Sequence, residues 1–288
     1  MPAPLRRAAL HALTAAAAFS VTGICVKAAS ADTPNEVVVF FRCAVSLLTL
    51  LPWLLRDGLG VIRTQRPGGH LVRAGLGVAS MYCFFYAIGA LPLATAMLLT
   101  YSTPLWIPFI AWLWLHERPA LIVYPSVLLG LAGIALMIKP DPATLRSGGA
   151  AIGLAAGMLA AGAMVGIRRI ADTEPPARIV FYFALMATVI SAVPLGWAWQ
   201  MPSLKAALLL IGAGVSATVG QLHLTSAYSI APAARVGPFT YAAVPFSALL
   251  AWLIWQEQIE PTAWLGALLV VATCILVSWR RPEPHLEE

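Results

Sequence analysis

The chain has 288 residues, 60% of them hydrophobic and 10% charged, with a net charge of +6 and a mean hydropathy of +0.83. A soluble domain carries about 25% charged residues, so the composition excludes a water-soluble protein and defines an integral membrane one. β-barrel strands would alternate every second residue in segments of roughly ten; these apolar stretches run to about 20, the length of one membrane-crossing helix.

Ten spans follow in chain order, over residues 8–28, 36–55, 70–89, 93–115, 120–138, 149–168, 178–199, 204–227, 234–255 and 262–279. The first lacks a small-residue cleavage pattern and reads as a retained helix rather than a signal peptide. Little chain is left for a soluble domain. With the N-terminus inside, Arg6, Arg7, Arg56, Arg63, Arg66, Arg73, Arg118, Arg168, Arg169, Arg178, Arg235, Arg280 and Arg281 are cytoplasmic. Only Lys27, Lys139, Arg146 and Lys205 then lie outside, with Arg42 within a span. That asymmetry places both termini in the cytoplasm. The positive charge is a topology signal and not a nucleic-acid patch.

The chain resembles itself at a displacement of 140 residues. Ala31-Asp32-Thr33 recurs as Ala171-Asp172-Thr173, Thr100-Tyr101 as Thr240-Tyr241, Ala111-Trp112-Leu113 as Ala251-Trp252-Leu253, and Glu117 as Glu257. A period that long marks a duplicated half-molecule. Residues 1–140 form the first five-span half, 141–281 the second, and 282–288 a polar tail. Five is odd, so the second half enters the membrane upside down, and the substrate site of such a protein lies between the halves.

All twelve acidic residues lie in loops, at span ends or in the tail. Mid-membrane carboxylates are the usual carriers of proton relays and cation sites, and none is expected here. Cys25, Cys43, Cys83 and Cys274 fall inside spans without metal-ligand or disulfide spacing, so no metal and no cofactor are expected. HExxH, paired intramembrane aspartates and G-x-S-x-G are absent, which argues against an intramembrane enzyme.

Spans four and nine occupy equivalent places in the two halves and both carry prolines: Pro104 and Pro108 in one, Pro238 and Pro245 in the other. Proline removes a backbone donor and kinks a helix, and matched interrupted helices are the best sequence pointer to a transporter site. These four prolines are the candidate hinges. Thr100-Tyr101 lies one turn before Pro104 and Thr240-Tyr241 one turn before Pro245, and they offer hydroxyls and an aromatic face to a substrate. The alternative is local bonding within the helix.

Span eight carries a polar stripe at helical spacing, Gly214, Thr218, Gln221, Thr225 and Tyr228. A lipid-facing Gln is costly, so the stripe is expected to face inward. His223 lies on a neighbouring face, as an interhelical hydrogen-bonder or a proton carrier. Tyr82 and Tyr86 of span three are one turn apart near Gly75 and Gly89; Tyr82 lines a cavity, or the span packs closely through its glycines. Arg42 sits about 9 Å along its helix from Glu36. It either snorkels toward the outer acids or meets a substrate carboxylate. Lys27 reads as an interface anchor, and Trp106, Trp112, Trp114, Trp252 and Trp255 as belt residues.

Taken together, the ten spans, the duplication, the FFRCAVSLLTLLP run at 40–52, and Glu117 and Glu257 closing spans four and nine resemble the drug/metabolite transporter superfamily, with halves similar to EamA-type repeats. The glycines of the following spans (Gly130 and Gly133; Gly266) fit too, although the second half has Val270 and Thr273 where the first has Gly130 and Gly133. Within the family the chain is most similar to YddG-type exporters of aromatic and other amino acids. The resemblance implies an all-α bundle of ten helices, two inverted five-helix repeats around a cavity lined by spans three, four, eight and nine. It also implies a bacterial inner membrane and a secondary transporter exporting amino acids or other small neutral or zwitterionic metabolites by alternating access. Export of other metabolites or drugs, and a passive channel, are the alternatives. Tyr82, Tyr101 and Tyr241 would meet the substrate's apolar part, and Thr100, Thr240, Gln221, His223 and Arg42 its polar groups. The expected partners are that small molecule and the lipid bilayer, with a monomer as the working unit.

Overall fold

The computed structural model describes residues 3–91, 93–140, 143, 148–256 and 260–279. The polar tail, Pro92, Asp141, Arg146 and Glu257 lie outside them. The described residues form ten helical passes. The first half holds α1 (Ala3–Ala29), α2 (Asn35–Thr49, continued by Leu51–Asp57), α3 (Pro67–Ala90), α4 (Leu93–Thr100 and Thr103–Leu115) and α5 (Val123–Ile138). The second holds α6 (Gly148–Ile170), α7 (Pro176–Ala192), α8 (Leu204–Ile230), α9 and α10 (Pro261–Trp279). α9 is built of a helical turn Ala233–Val236, a 3-10 segment Gly237–Ala242 and a helix Ala243–Trp255.

Seven passes are long and apolar enough to cross a membrane, and α5 and α7 are shorter apolar helices. The tenth, α3, has 24 residues and carries Arg73. Proline sets several boundaries, because its missing N–H costs nothing in a helix's first turn. Pro67, Pro176 and Pro261 each open a helix. α3 therefore begins three residues before the span read from hydropathy. α7 stops at Ala192 because Pro194 follows, and a separate short helix Leu195–Ala198 takes up the rest.

The packing shows the duplication directly. α1 lies along α8, and α6, its counterpart, along α3; α2 meets α8 as α7 meets α3; α4 lies on α6 as α9 does on α1. Three further interfaces are self-paired: α2 with α7, α4 with α9, and α5 with α10. The chain is thus two inverted repeats that exchange helices. Even the caps repeat, for His116 and Gln256, 140 residues apart, end α4 and α9 in the left-handed region at φ 54° and 55°. Each returns its backbone N–H to the carbonyl four residues earlier, on Trp112 and Trp252, which satisfies an end carbonyl.

Between α5 and α10 the repeats are deliberately unequal. A Cβ on Gly130 would lie 2.4 Å from the Tyr241 ring and 3.1 Å from Thr273, and one on Gly133 would lie 2.6 Å from the Gly266 carbonyl oxygen and 3.2 Å from Val270. The glycines of α5 are the hollows that receive Val270 and Thr273 of α10. The departure of the second repeat from the first is therefore complementarity across the pseudo-twofold axis. Equal side chains at both sites would collide.

Candidate substrate site

α4 and α9 are broken at the same place in their repeats. In α4 the helix stops at Thr100 and resumes at Thr103, so the break falls at Tyr101-Ser102. In α9 it is the 3-10 segment containing Thr240-Tyr241. Pro104 sits in the first turn of the resumed α4 helix and Pro108 inside it. Pro238 is the second residue of the 3-10 segment, and Pro245 falls in the first turn of the helix after it. Pro104 and Pro245 thus remove donors that a helix start leaves free anyway, whereas Pro108 and Pro238 withhold donors from the pass itself.

The expected contact residues divide into two groups. Tyr101 and Tyr241 come together in one apolar cluster with Val127, Ile134 and Val270. Tyr241 is fully buried against Gly130. Thr100 Oγ1 donates to the Ala96 carbonyl at 3.0 Å, and Thr240 Oγ1 to the Gly237 carbonyl at 2.7 Å. Both hydroxyls are thus spent locally in this conformation.

The second group lies among α2, α3, α7 and α8. The stripe on α8 faces inward, with Thr218, Thr225 and Tyr228 all 1% exposed or less. Thr218 Oγ1 reaches the Ser46 carbonyl and Ser46 Oγ the Gly214 carbonyl, tying α8 to α2. Arg42, Gln221, Ser46, Phe183 and Cys43 border a recess of only ≈10 Å³. Arg42 Nη1 points at the Met81 sulfur, 3.9 Å away, and does not reach an acid. Tyr82 Oη lies 3.4 Å from the Ile190 carbonyl of α7. His223 Nδ1 meets His11 Nδ1 at 2.8 Å across α1 and α8, so one ring donates and the other accepts.

Sequence reasoning counted Arg73 as a cytoplasmic loop residue and Arg42 as the one charge within a span; the structure corrects both. Arg73 lies in the second turn of α3, 1% exposed. Its Nη2 donates to Gln221 Oε1 at 3.0 Å, and its guanidinium lies 3.9 Å from the centre of the Phe183 ring. The span 70–89 already reached Arg73 at its edge; the helix start at Pro67 sets it a full turn in, and the helices packed around α3 bury it.

A second missed feature is a polar cluster where the 2–3 and 6–7 loops meet. Glu174 is 1% exposed. It accepts from Thr64 Oγ1 at 2.7 Å, Gln65 N at 3.2 Å and Arg178 Nη1 at 2.9 Å; His70 Nε2 lies 3.3 Å away. Burial alone would raise its pKa, but Arg178, Thr64, His70 and the Gln65 N–H override that and pull it down to about 2. Close by, Glu117 binds Arg168 Nε at 3.1 Å and accepts from Ala233 N, joining the ends of α4 and α6 to the start of α9. At the opposite end Lys139 pairs with Glu260, and Lys27 lies over the Trp255 ring at 4.3 Å. Among the described residues no group of three or more His, Cys, Asp or Glu could hold a metal, and the four cysteines are free.

Inverted repeats, matched broken passes and a polar interior at their interface define a multi-pass membrane transporter. The profile of the EamA-like transporter family matches the chain twice, over residues 6–139 and 147–279, and the chain belongs to that family. It is 36% identical to the pseudopaline exporter of Pseudomonas aeruginosa, over 95% of this chain and 96% of that protein. It is 28% identical to the riboflavin transporter of Vibrio cholerae, over 97% and 95%, and 26% identical to the S-adenosylmethionine uptake transporter of Rickettsia bellii, over 83% and 82%. A crystal structure superposes with a TM-score of 0.83 at 20% identity, covering 94% of this chain and 97% of that one, a likeness of fold. The three named relatives are transporters, not enzymes, and their names carry pseudopaline, riboflavin and S-adenosylmethionine rather than aromatic amino acids.

Proposed function

We propose that the chain is a secondary transporter of the bacterial inner membrane, termini in the cytoplasm. It exports amino acids or amino-acid-like zwitterionic metabolites by alternating access. The observation that carries this reading is the pair of breaks in α4 and α9, placed at equivalent positions of the two repeats. Inverted halves that exchange conformations around a fixed site need such matched flexible points. The pseudopaline exporter, as a relative matched end to end, supports the direction of transport. Arg42 and Arg73, neither paired with a carboxylate among the described residues, favour a substrate bearing a carboxylate over a permanent cation. The ≈10 Å³ recess has room for about one water, which fits a conformation closed around the site and disfavours an open channel.

Proteoliposomes containing the purified protein, loaded with labelled phenylalanine, histidine, glutamate or pseudopaline, provide the test. Saturable efflux and counterflow of at least one of these are expected. Flux of all four equal to that of empty vesicles would sink the reading, and non-saturable flux would point to a channel.

Within this reading Pro238 is the most consequential hinge. Pro238→Ala restores the missing N–H and lets α9 anneal toward one continuous helix. Counterflow should fall by about tenfold, the size of a modest ~1.4 kcal/mol shift between conformations, with the folded yield unchanged. Unaltered turnover would remove the hinge.

A further inference from the structure

The polar groups between α3 and α8 are arranged for a partner that the chain does not itself supply. Arg73 offers a planar fork of five N–H donors, yet only Nη2 has an acceptor. Its Nε and Nη1 are buried with none. On the facing α8, one and two turns beyond Gln221, Thr225 Oγ1 and Tyr228 Oη are likewise buried without a partner. Buried donors are nearly always satisfied, so the two orphaned nitrogens of Arg73 need a physical explanation.

The surroundings are shaped to keep the fork in place. A Cβ on Gly166 would sit 3.4 Å from the Arg73 Cβ, and one on Gly77 would lie 3.0 Å from the Phe183 ring. Gly166 packs against Arg73 at ordinary contact distance, and the missing side chain of Gly77 makes room for the Phe183 ring that the guanidinium lies over. Gln221 fixes its far edge. Arg42, whose nearest acceptor is a thioether sulfur, borders the same recess as Gln221 and Phe183. Among the described residues no carboxylate lies within ion-pair distance of either arginine.

We propose that Arg73 and Arg42 form a carboxylate-binding subsite inside the bundle, with Gln221 and Phe183 orienting the Arg73 fork. A guanidinium fork matches the two oxygens of a carboxylate and pairs with them in parallel. A ligand anion would satisfy the donors that the protein leaves open, and among the described residues no carboxylate of the chain pairs with either arginine to compete for them. The subsite rests on the transporter reading in one respect. Its recess is collapsed here, so substrate reaches it only when α2 and α7 part from α3 and α8.

Binding is testable apart from transport. The thermal midpoint of the detergent-purified full chain is measured with glutamate, histidine and phenylalanine, with phenylalanine amide, and with inorganic phosphate. At least one free carboxylate should raise the midpoint, while the amide and phosphate should not. Arg73→Met should abolish that shift, and Arg73→Lys should weaken binding by about tenfold or more, since the charge stays but the fork is lost. Without ligand, Arg73→Met should be at least as stable as the unaltered protein, because it removes a buried charge that has no counter-charge. A less stable Arg73→Met that keeps the carboxylate shift would make the residue structural and overturn the proposal. So would a panel in which no acid shifts the midpoint, or in which the amide or phosphate acts equally. A carboxylate shift without vesicle flux would sink the transporter reading and leave the subsite standing. Flux unchanged in Arg73→Met would do the reverse.

Discussion

Replacing Gly133 with alanine is expected to part α5 from α10 and to lower the thermal midpoint sharply, while Gly75→Ala leaves it unchanged or slightly raised. The added methyl on Gly133 would lie 2.6 Å from the Gly266 carbonyl oxygen, and Gly266 returns the approach, its own Cβ position falling 2.3 Å from the Gly133 oxygen. Both obstacles are backbone, so no rotamer change relieves the clash and the helices must move apart. Membrane helices gain little from the hydrophobic effect between them and depend on such close packing. Separation also unseats Val270 from its hollow and loosens Tyr241 against Gly130. The expected cost is about 3 kcal/mol or more, above ordinary overpacking because backbone is displaced. Nothing lies within 4 Å of a Cβ on Gly75, and there alanine brings about 0.5–1 kcal/mol of helix preference instead. Fluorescence-detected size exclusion after a temperature ramp measures both; equal midpoints for the two variants would refute the account.

That contrast marks what a hydropathy pattern can carry. The 140-residue echo made the inverted repeat legible, and the structure's exchanged interfaces follow from it. The α8 stripe was legible as well, because a Gln and two Thr at helical spacing have one favourable direction to face. Which glycine of α3 packs was not. Gly75 and Gly77 are two residues apart and point to different sides, and only the path of α6 and α7 decides that Phe183 needs Gly77. Arg73 was hidden for a related reason. A charge at the edge of the 70–89 span reads as part of the adjoining basic loop, and only the packing of α6 and α7 against it shows that the bundle buries it. The breaks fall at the Thr-Tyr pairs, yet the surroundings of those pairs depend on α5, which draws Tyr101 and Tyr241 into one cluster apart from Arg42 and Gln221. Glu174 was the least legible of all. It looks like an ordinary loop acid, and its burial arises from Thr64, His70 and Arg178 converging from three segments.

For that reason Glu174 carries the second large expectation. Glu174→Ala leaves Arg178 and His70 facing each other with their acceptor gone and strips Thr64 and the Gln65 N–H of theirs. The 2–3 loop, which Arg178 and Tyr182 also hold through the Val61 and Ile62 carbonyls, loses its centre. Breaking one partner of a buried charged network costs about 3–5 kcal/mol. The neighbouring pair Arg66–Asp172 offers a control, for its side chains are 41% and 64% exposed. Asp172→Ala should cost less than about 1 kcal/mol, as exposed ion pairs do. The pH dependence separates charge from shape. Glu174 has its pKa depressed to about 2 in the folded chain, against roughly 4.3 unfolded, so it binds fewer protons folded than unfolded. Its contribution is therefore complete above about pH 4.5 and drains away as the pH falls toward 2. The midpoint gap between the unaltered protein and Glu174→Gln should be widest at pH 7 and should shrink between pH 4.5 and 3. A gap that stays constant across that range would mean that Glu174 acts through its hydrogen-bonding shape alone, and that the charge buried at this end of the bundle does not hold the loops together.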